Sequence, residues 1–425
     1  MKRTLDWFKL DYSASFYPVM TTNTTQSIFR LSVIMDEAIK PELLLDALNE
    51  VIVRFPLYKV RQRAGVFWYY LEENVKPFRV FKDDGILLKK IDTKLTNGYL
   101  FRLCYFGKKI ALDMFHGLTD GTGAMVFMRA IVYAYAVKCG KTPSSENVID
   151  LKAMPTEAET EDSFRKYAEK TRLKDIELKK FAGASPTVVS GHKFVGEGYG
   201  SISGTVSVTE VKEVAKKYGC NVTHFVAAKL IKAIYDNDKK KKKPVVVMVP
   251  INFRNQFPSE SLKNFVLFTK IYVYPKDCEK LETIIEAVKK QMAVAAKKEE
   301  QQKQINTTVN GINTFAFKIL PLPLKFFLIR LGRLFFKSKH SIIFSNLGIA
   351  NMPEGAGVEK AFFNLNVSSH NPVNCGALSN GDDLMLTFTR TIAETEVERR
   401  FFTSLSKEGI KVKILSNFRE EQIVL

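Results

Sequence analysis

The stretch FHGLTDGTGAMVF, Phe115 to Phe127, sets a histidine ahead of an Asp-Gly pair with three residues between, at the start of a helical run. The segment before it, KIALDMF, reads as a strand. The segment after it, GAMVFMRAIVYAYAVKCG, reads as a helix closed by Gly140. His116 therefore stands on a strand-to-helix turn. Four chemistries fit a histidine there: a metal ligand, a serine-type relay, a lone general base, or a turn residue satisfied by backbone.

The rest of the chain bears on the first two. No pair of histidines has zinc-ligand spacing. Cys104, Cys139, Cys220, Cys278 and Cys375 are odd in number, scattered, and form no C-x-x-C pair, so neither structural zinc nor a disulfide framework is expected. There is no G-x-S-x-G elbow for a serine nucleophile. No P-loop or G-x-G-x-x-G follows a strand. At this point a lone base and a plain turn histidine both stand.

The chain has 425 residues, room for two or three domains, and a globular balance of 46% hydrophobic to 26% charged residues. MKRTLDWFKLDYSASF lacks the apolar core and small-residue cleavage site of a signal peptide. No run approaches the ~20 apolar residues of a spanning helix. A reducing cytoplasm is the expected location. The net charge of +19 is unusual, and part of it lies in DNDKKKKKP, Asp236 to Pro244, which reads as a loop tip. Nucleic acid is not expected as a partner, because the aromatics lie in apolar strands and not between basic residues. A phosphate-rich co-substrate or an anionic membrane surface stays open. PLPLKFFLIRLGRLFFKSK, Pro321 to Lys339, reads as a helix apolar around most of its circumference, with Arg330, Arg333 and Lys337 on one strip. It is expected to be a largely buried helix with a solvated edge; the alternative is a rim for a lipid-like acceptor or membrane surface.

Along the chain, Ile28 to Met35 reads as a strand, and Pro41 opens a helix whose Leu44, Leu45, Leu48, Val51 and Ile52 share a face. GVFWYYLEE, KPFRVF, YLFRLCYF and KIALDMF read as strands, the last two as a hairpin around Gly107 to Lys109. From Lys141 to about Ser201 the composition turns to Pro, Ser, Glu and Lys, with a polar helix around Ser163 to Phe181. The glycine-rich SPTVVSGHKFVGEGYGS marks a crossover. A second series follows: strand ISGTVSV, helix VKEVAKKYG, helix THFVAAKLIKAIYD with Thr223 as its expected N-cap, and the apolar strand PVVVMVPINFR. Two α/β halves of similar make-up are expected.

These residues resemble the chloramphenicol-acetyltransferase-like superfamily, whose mark is a strand ending in H-x-x-x-D-G before a helix. Condensation domains of peptide synthetases, plant BAHD acyltransferases and microbial alcohol acetyltransferases belong to it. Three further segments match in order. NVTHFVAAKLIKAI is similar to the family's helix after a Thr-containing turn. VPINFRNQFPSESLKNFVLF is similar to its Pro-x-x-x-Arg strand and Asn-Phe pair, here Pro250, Arg254, Asn264 and Phe265. IIFSNLGIANMP is similar to its late Ser-Asn-x-Gly strand, Ser345 to Gly348. FPLYKVRQRAGVFWYYLEE resembles bacterial alcohol acetyltransferases most. Phe115 stands where many condensation domains carry a second histidine, and the BAHD Asp-Phe-Gly-Trp-Gly motif is absent. Both departures favour the alcohol acetyltransferase branch and leave the oxyanion-stabilising group unidentified.

The resemblance implies an α/β (α+β) fold of two acetyltransferase-like subdomains, residues 1–185 and 186–425, with mixed sheets flanked by helices and a tunnel between them. It implies that His116 is a general base acting without an acyl-enzyme intermediate, and that histidine suits this because its pKa lies near neutrality. It implies that Asp120 pairs with Arg254 instead of relaying charge to His116, and Gly121 is expected to give the turn its backbone freedom. Asn264, Ser345, Asn346 and His370, in SSHNPVNCG, are candidates for the tunnel; His192, His224 and His340 are not. The implied reaction is O-acyl transfer to an alcohol from acyl-CoA, a co-substrate and not a resident cofactor, with N-acyl transfer to an amine as the other acceptor chemistry. The alternatives are a non-catalytic module that binds acylated partners and a condensation-like enzyme fed by a carrier protein.

Overall fold

A computed structural model of the chain describes residues 7–11, 17, 27–170, 184–194, 199–312, 320–335, 340–368 and 371–417. The first part holds β1 (Trp7–Lys9), β2 (Ile28–Met35), α1 (Pro41–Val51), β3 (Val60–Ala64), β4 (Tyr69–Glu73), β5 (Val80–Lys82), β6 (Phe101–Phe106), β7 (Lys109–Phe115) and α2 (Gly121–Lys138). Two short helices, α3 (Glu157–Thr160) and α4 (Ser163–Tyr167), lead into the crossover. Residues 171–183, where the polar helix was expected to continue, lie outside the described residues. Then come β8 (Gly200–Ser207), α5 (Val208–Lys217), α6 (Val222–Asn237), β9 (Val245–Asn252), β10 (Val266–Val273), α7 (Leu281–Ala295), α8 (Lys298–Ile312) and α9 (Leu322–Phe335). The last described elements are β11 (Ile342–Ile349), β12 (Val358–Asn364), β13 (Val373–Asn380), β14 (Asp383–Arg390), α10 (Glu396–Lys407) and β15 (Lys413–Ser416).

Strand alternation builds the first sheet, ordered β12-β2-β7-β6-β5. Ile110, Leu112 and Met114 of β7, with Leu31, Val33 and Met35 of β2, turn to one face and bury against Leu44 and Leu48 of α1 and Phe127, Met128 and Ile131 of α2. The opposite face carries charge. Arg30 forks onto both oxygens of Asp113 at 2.6 and 2.8 Å, Arg102 reaches the same carboxylate at 2.7 Å, and Asp83 takes the third Arg30 nitrogen at 2.9 Å. A buried arginine of this kind is tolerated because each guanidinium fork meets a carboxylate. The pairs lock β2, β6 and β7 together just below His116. A separate three-stranded sheet, β1-β4-β3, flanks this half.

The second sheet is mixed and seven-stranded, ordered β10-β9-β11-β13-β14-β8-β15, with β11 parallel to both β9 and β13. Its helix-covered face packs Val245, Val247, Phe344, Cys375 and Phe388 against α6, α7 and α10. The sheets meet where β12, late in the chain, pairs antiparallel with β2 of the first sheet and passes β13 of the second. The passage is close: a Cβ on Gly376 would collide with the Phe363 carbonyl oxygen, so only glycine lets the strands cross there. The site described below lies along this junction.

Two local expectations change. Helix α6 is capped by Asn221, whose side chain accepts the His224 N–H at 2.8 Å, and not by Thr223. Asparagine at 221, two residues ahead of Thr223, reaches the third N–H of the helix, which leaves the Thr223 hydroxyl to accept from Asn346 Nδ2 at 3.0 Å. Helix α9 exposes a run of large apolar side chains where burial was expected, while Lys325 is only 1% exposed. The side chains of Arg330 and Arg333, and all of Lys337, lie outside the described residues.

Candidate active site

The site starts from a capping problem. The first N–H groups of α2 have no partner inside the helix, and Asp120 is the residue before it. Its Oδ1 accepts from Thr122 N and Gly123 N, both at 3.1 Å. Its Oδ2 accepts from Arg254 Nη1 at 2.7 Å and from Phe265 N at 2.9 Å. Both carboxylate oxygens are thus taken by donors other than the imidazole. Arg254, on the turn after β9, spends its other nitrogen on the carbonyls of Ser261 and Lys263 at 2.8 and 2.6 Å. One buried ion pair therefore joins the helix start in the first half to the loop Ser261–Asn264 in the second.

That loop carries Asn264 to His116. Asn264 Nδ2 donates to Asp11 Oδ2 at 3.0 Å, and its Oδ1 lies 3.0 Å from His116 Nδ1. These contacts determine a tautomer. The Asp11 carboxylate can only accept, so the amide nitrogen of Asn264 faces it and the amide oxygen faces the ring. An oxygen there accepts, so Nδ1 carries the proton and Nε2 is the basic nitrogen. The ring is held flat by Tyr17, stacked at 4.6 Å and 14° between planes, and from the edge by Phe29 at 5.1 Å. The His116 N–H donates to the Ser27 carbonyl at 2.8 Å, which fixes the backbone of the turn. Burial lowers the His116 pKa below 6.5, against smaller opposing pulls from Asp120, Asn264 and Asp11. The ring is neutral at pH 7. Burial, helped by Asp11 and Asp120, raises the Tyr17 phenol, so its hydroxyl keeps its proton.

Close approach sets the glycines. Gly121 has ordinary helical backbone, and a Cβ there would run into Leu347 of β11. Its use is therefore proximity to the Ser-Asn-Leu-Gly strand and not conformational freedom. Gly123, which the sequence did not single out, is the tighter position: a Cβ would collide with Thr119 Oγ1 and the Leu262 carbonyl oxygen. Thr119 Oγ1 donates to that same carbonyl at 2.5 Å and accepts from Tyr58 at 3.1 Å. Without side-chain bulk at Gly123, the loop that bears Asn264 can lie directly on the helix start.

His116, Asp120, Gly121, Arg254 and Asn264 are thus brought together, Asn264 as a partner of the imidazole. Ser345 is buried on β11 opposite Gly376, and Asn346 is spent on Thr223 and on the Gly348 N–H. His370 lies outside the described residues. Asp11, Tyr17, Phe29 and Thr119 also belong to the site. Among the described residues no group of three His, Cys, Asp or Glu could hold a metal ion, and no helix is long and apolar enough to cross a membrane.

Solved structures place this arrangement in a known architecture. The trichothecene 15-O-acetyltransferase of Fusarium sporotrichioides matches with a TM-score of 0.60 at 12% identity, covering 95% of this chain and 94% of that one. The starter condensation domain of rhizomide synthetase matches at 0.55 and 10% identity, over 96% and 97%. Polyketide synthase associated protein 5 of Mycobacterium tuberculosis matches at 0.58 and 12%, over 94% and 96%. The fold is that of condensation domains and chloramphenicol-acetyltransferase-like proteins. At these identities the likeness concerns the fold alone. No protein-family model matches the chain, and no curated protein does. The α/β architecture of two sheets flanked by helices, expected from the sequence, is the one observed.

Proposed function

We propose that this protein is an acyltransferase that moves an acyl group from acyl-CoA directly to the hydroxyl of an alcohol, with His116 as general base. The observation that carries the reading is the Asp11–Asn264–His116 chain of contacts, which leaves Nε2 as the basic nitrogen on a ring that burial keeps neutral. Nε2 takes the acceptor's proton as its oxygen attacks the thioester carbonyl. The tetrahedral intermediate then expels the coenzyme A sulfur, which recovers the proton from the imidazolium. No acyl-enzyme forms, and the histidine ends as it began. Asp120 and Arg254 position the turn and take no proton. Tyr17 and Phe29 restrict the ring to the productive orientation. The protein would work in the cytoplasm, a location that suits its five unpaired cysteines.

The experiment is a screen of acyl-CoA thioesters against pooled alcohols and amines, reading free thiol release and product mass. A parallel arm supplies the same acyl groups on a carrier protein. Ester formation from free acyl-CoA supports the proposal. Product only from the carrier arm would make the protein a condensation-type enzyme, and binding without turnover in either arm would make it a non-catalytic module.

A further inference from the structure

Helix α9 is built inside out. Leu324, Phe327, Leu328 and Leu331 follow the i, i+3, i+4, i+7 spacing of a core-facing stripe. Each of them is 40–61% exposed. Among the described residues turned inward is a charged one. Lys325 Nζ donates to the Phe67 carbonyl at 2.8 Å and sits 3.6 Å from the centre of the Trp68 ring. Leu322 N donates to the Val66 carbonyl at 2.9 Å, and Phe326 meets the Tyr69 ring edge-on at 5.8 Å. These four contacts pin the inner face of the helix to the β3–β4 hairpin and fix the stripe pointing outward. The hairpin tip beside the first turn adds Val66, 70% exposed, and Phe67, 44% exposed. Helix stripe and hairpin tip lie side by side and together expose six large apolar side chains, more than the scattered single residues common on globular proteins.

We infer that this surface seats the protein on an anionic lipid bilayer, with the stripe and the hairpin tip entering the headgroup boundary. Charge selects this occupant. Pro321 to Lys339 contains five lysines and arginines and no aspartate or glutamate, in a chain of net charge +19. An apolar stripe on a basic, acid-free segment has the composition of helices that lie in the plane of a membrane interface. A second copy of the chain fits poorly, because a two-fold contact through this patch would set the same basic segment against itself. β1 gives the surface a link to the site: Lys9 pairs with Tyr70 of the hairpin strand β4, and two residues later Asp11 holds Asn264.

The test is flotation of the full chain with vesicles of phosphatidylcholine alone and of phosphatidylcholine mixed with phosphatidylglycerol, each at low and high salt. The chain should float with the mixed vesicles at low salt and lose most of that binding at high salt. Phe327→Glu with Leu331→Glu should reduce binding by about tenfold or more, the order expected for withdrawing large apolar side chains from lipid. The milder Phe327→Ala with Leu331→Ala should fall between the two. Phe106→Glu, at an exposed aromatic on β6 outside the stripe and the hairpin tip, should bind as the unaltered chain does. Unchanged thermal melting curves establish that all three variants are folded. Failure of the unaltered chain to float with either vesicle overturns the inference, as does equal flotation of the glutamate variant. A dimer in solution that the glutamate variant converts to monomer, without flotation, would give the surface to a second copy instead. None of these readouts depends on the acyltransferase reading.

Discussion

Asp120→Asn tests whether the carboxylate beside the histidine is a structural pair or a relay. The substitution keeps the shape and removes the charge, and its cost follows from the four donors that surround the side chain. With the amide oxygen toward Thr122 N and Gly123 N, the new NH2 group faces Arg254 Nη1 and Phe265 N. With the amide flipped, it faces the two helix N–H groups instead. Either orientation sets donors against donors in a pair whose side chains are 2% and 12% exposed. Breaking a buried pair typically costs ~3–5 kcal/mol. Arg254 keeps the carbonyls of Ser261 and Lys263, so the lower end, about 3 kcal/mol, is expected. Arg254→Gln leaves Asp120 with three backbone donors and should cost somewhat less. Because both changes break one interaction, the double variant should lose less than the sum, by ~1–3 kcal/mol. Urea denaturation midpoints measure the three losses, and initial rates of thiol release should fall in parallel for both single variants. A relay aspartate behaves otherwise, holding stability while turnover collapses through the wrong tautomer. Additive stability losses, with turnover lost in Asp120→Asn alone, would refute the structural pair.

Three other expectations rest on the same geometry. His116→Ala should fold as the unaltered chain does and lose activity by roughly 10²–10⁴-fold, the span for a positioned acid–base group; unchanged turnover in a purified, folded variant would remove His116 from the mechanism. Asn264→Ala and Asp11→Asn should each lower kcat with little change in KM, because they free the tautomer and not the substrate, and a pure KM effect would contradict that assignment. Acidification should act through His116 with a defined sign: the neutral ring is the active form and its folded pKa is lowered, so rates should be flat near pH 7 and fall only well below 6.5. The unfolded chain binds that proton more readily, so this histidine also removes stability as pH falls through 6.5, measurable as a declining melting temperature.

The motif residues were legible because short local patterns located them and the family resemblance then assigned their roles. A histidine closing a strand, an aspartate before a helix and an arginine after an apolar strand can be read in windows of a dozen residues. Asp11, Tyr17 and Gly123 could not be read this way. Asp11 reaches Asn264 across 253 positions of sequence, and nothing in its own stretch, LDWFKLDYSASF, sets it apart from Asp6. Tyr17 stacks on a ring 99 residues away, and its own neighbours carry no pattern. Gly123 looks like any glycine in a helix start, since its constraint comes from the Leu262 carbonyl and not from its own backbone. Helix α9 failed for a different reason. Its stripe has the periodicity of a buried face, and periodicity reports which residues share a face but not what that face meets. The orientation was fixed by Lys325, whose ammonium finds a carbonyl and the Trp68 ring on the hairpin. The same limit governs the chemistry. Sequence places a histidine at the site, but its basic nitrogen follows only from Asp11, which turns the Asn264 amide, which in turn selects the proton position on His116. Gly123→Ala puts that dependence to a direct test. The added methyl must push the Leu262 carbonyl away, and with it Asn264 two residues on. Overpacking of this kind costs ~1–3 kcal/mol. Turnover should fall further than that stability loss explains, with the pH profile altered because His116 Nδ1 has lost its acceptor. A variant that is destabilised but fully active, with an unaltered pH profile, would show that the imidazole does not need Asn264.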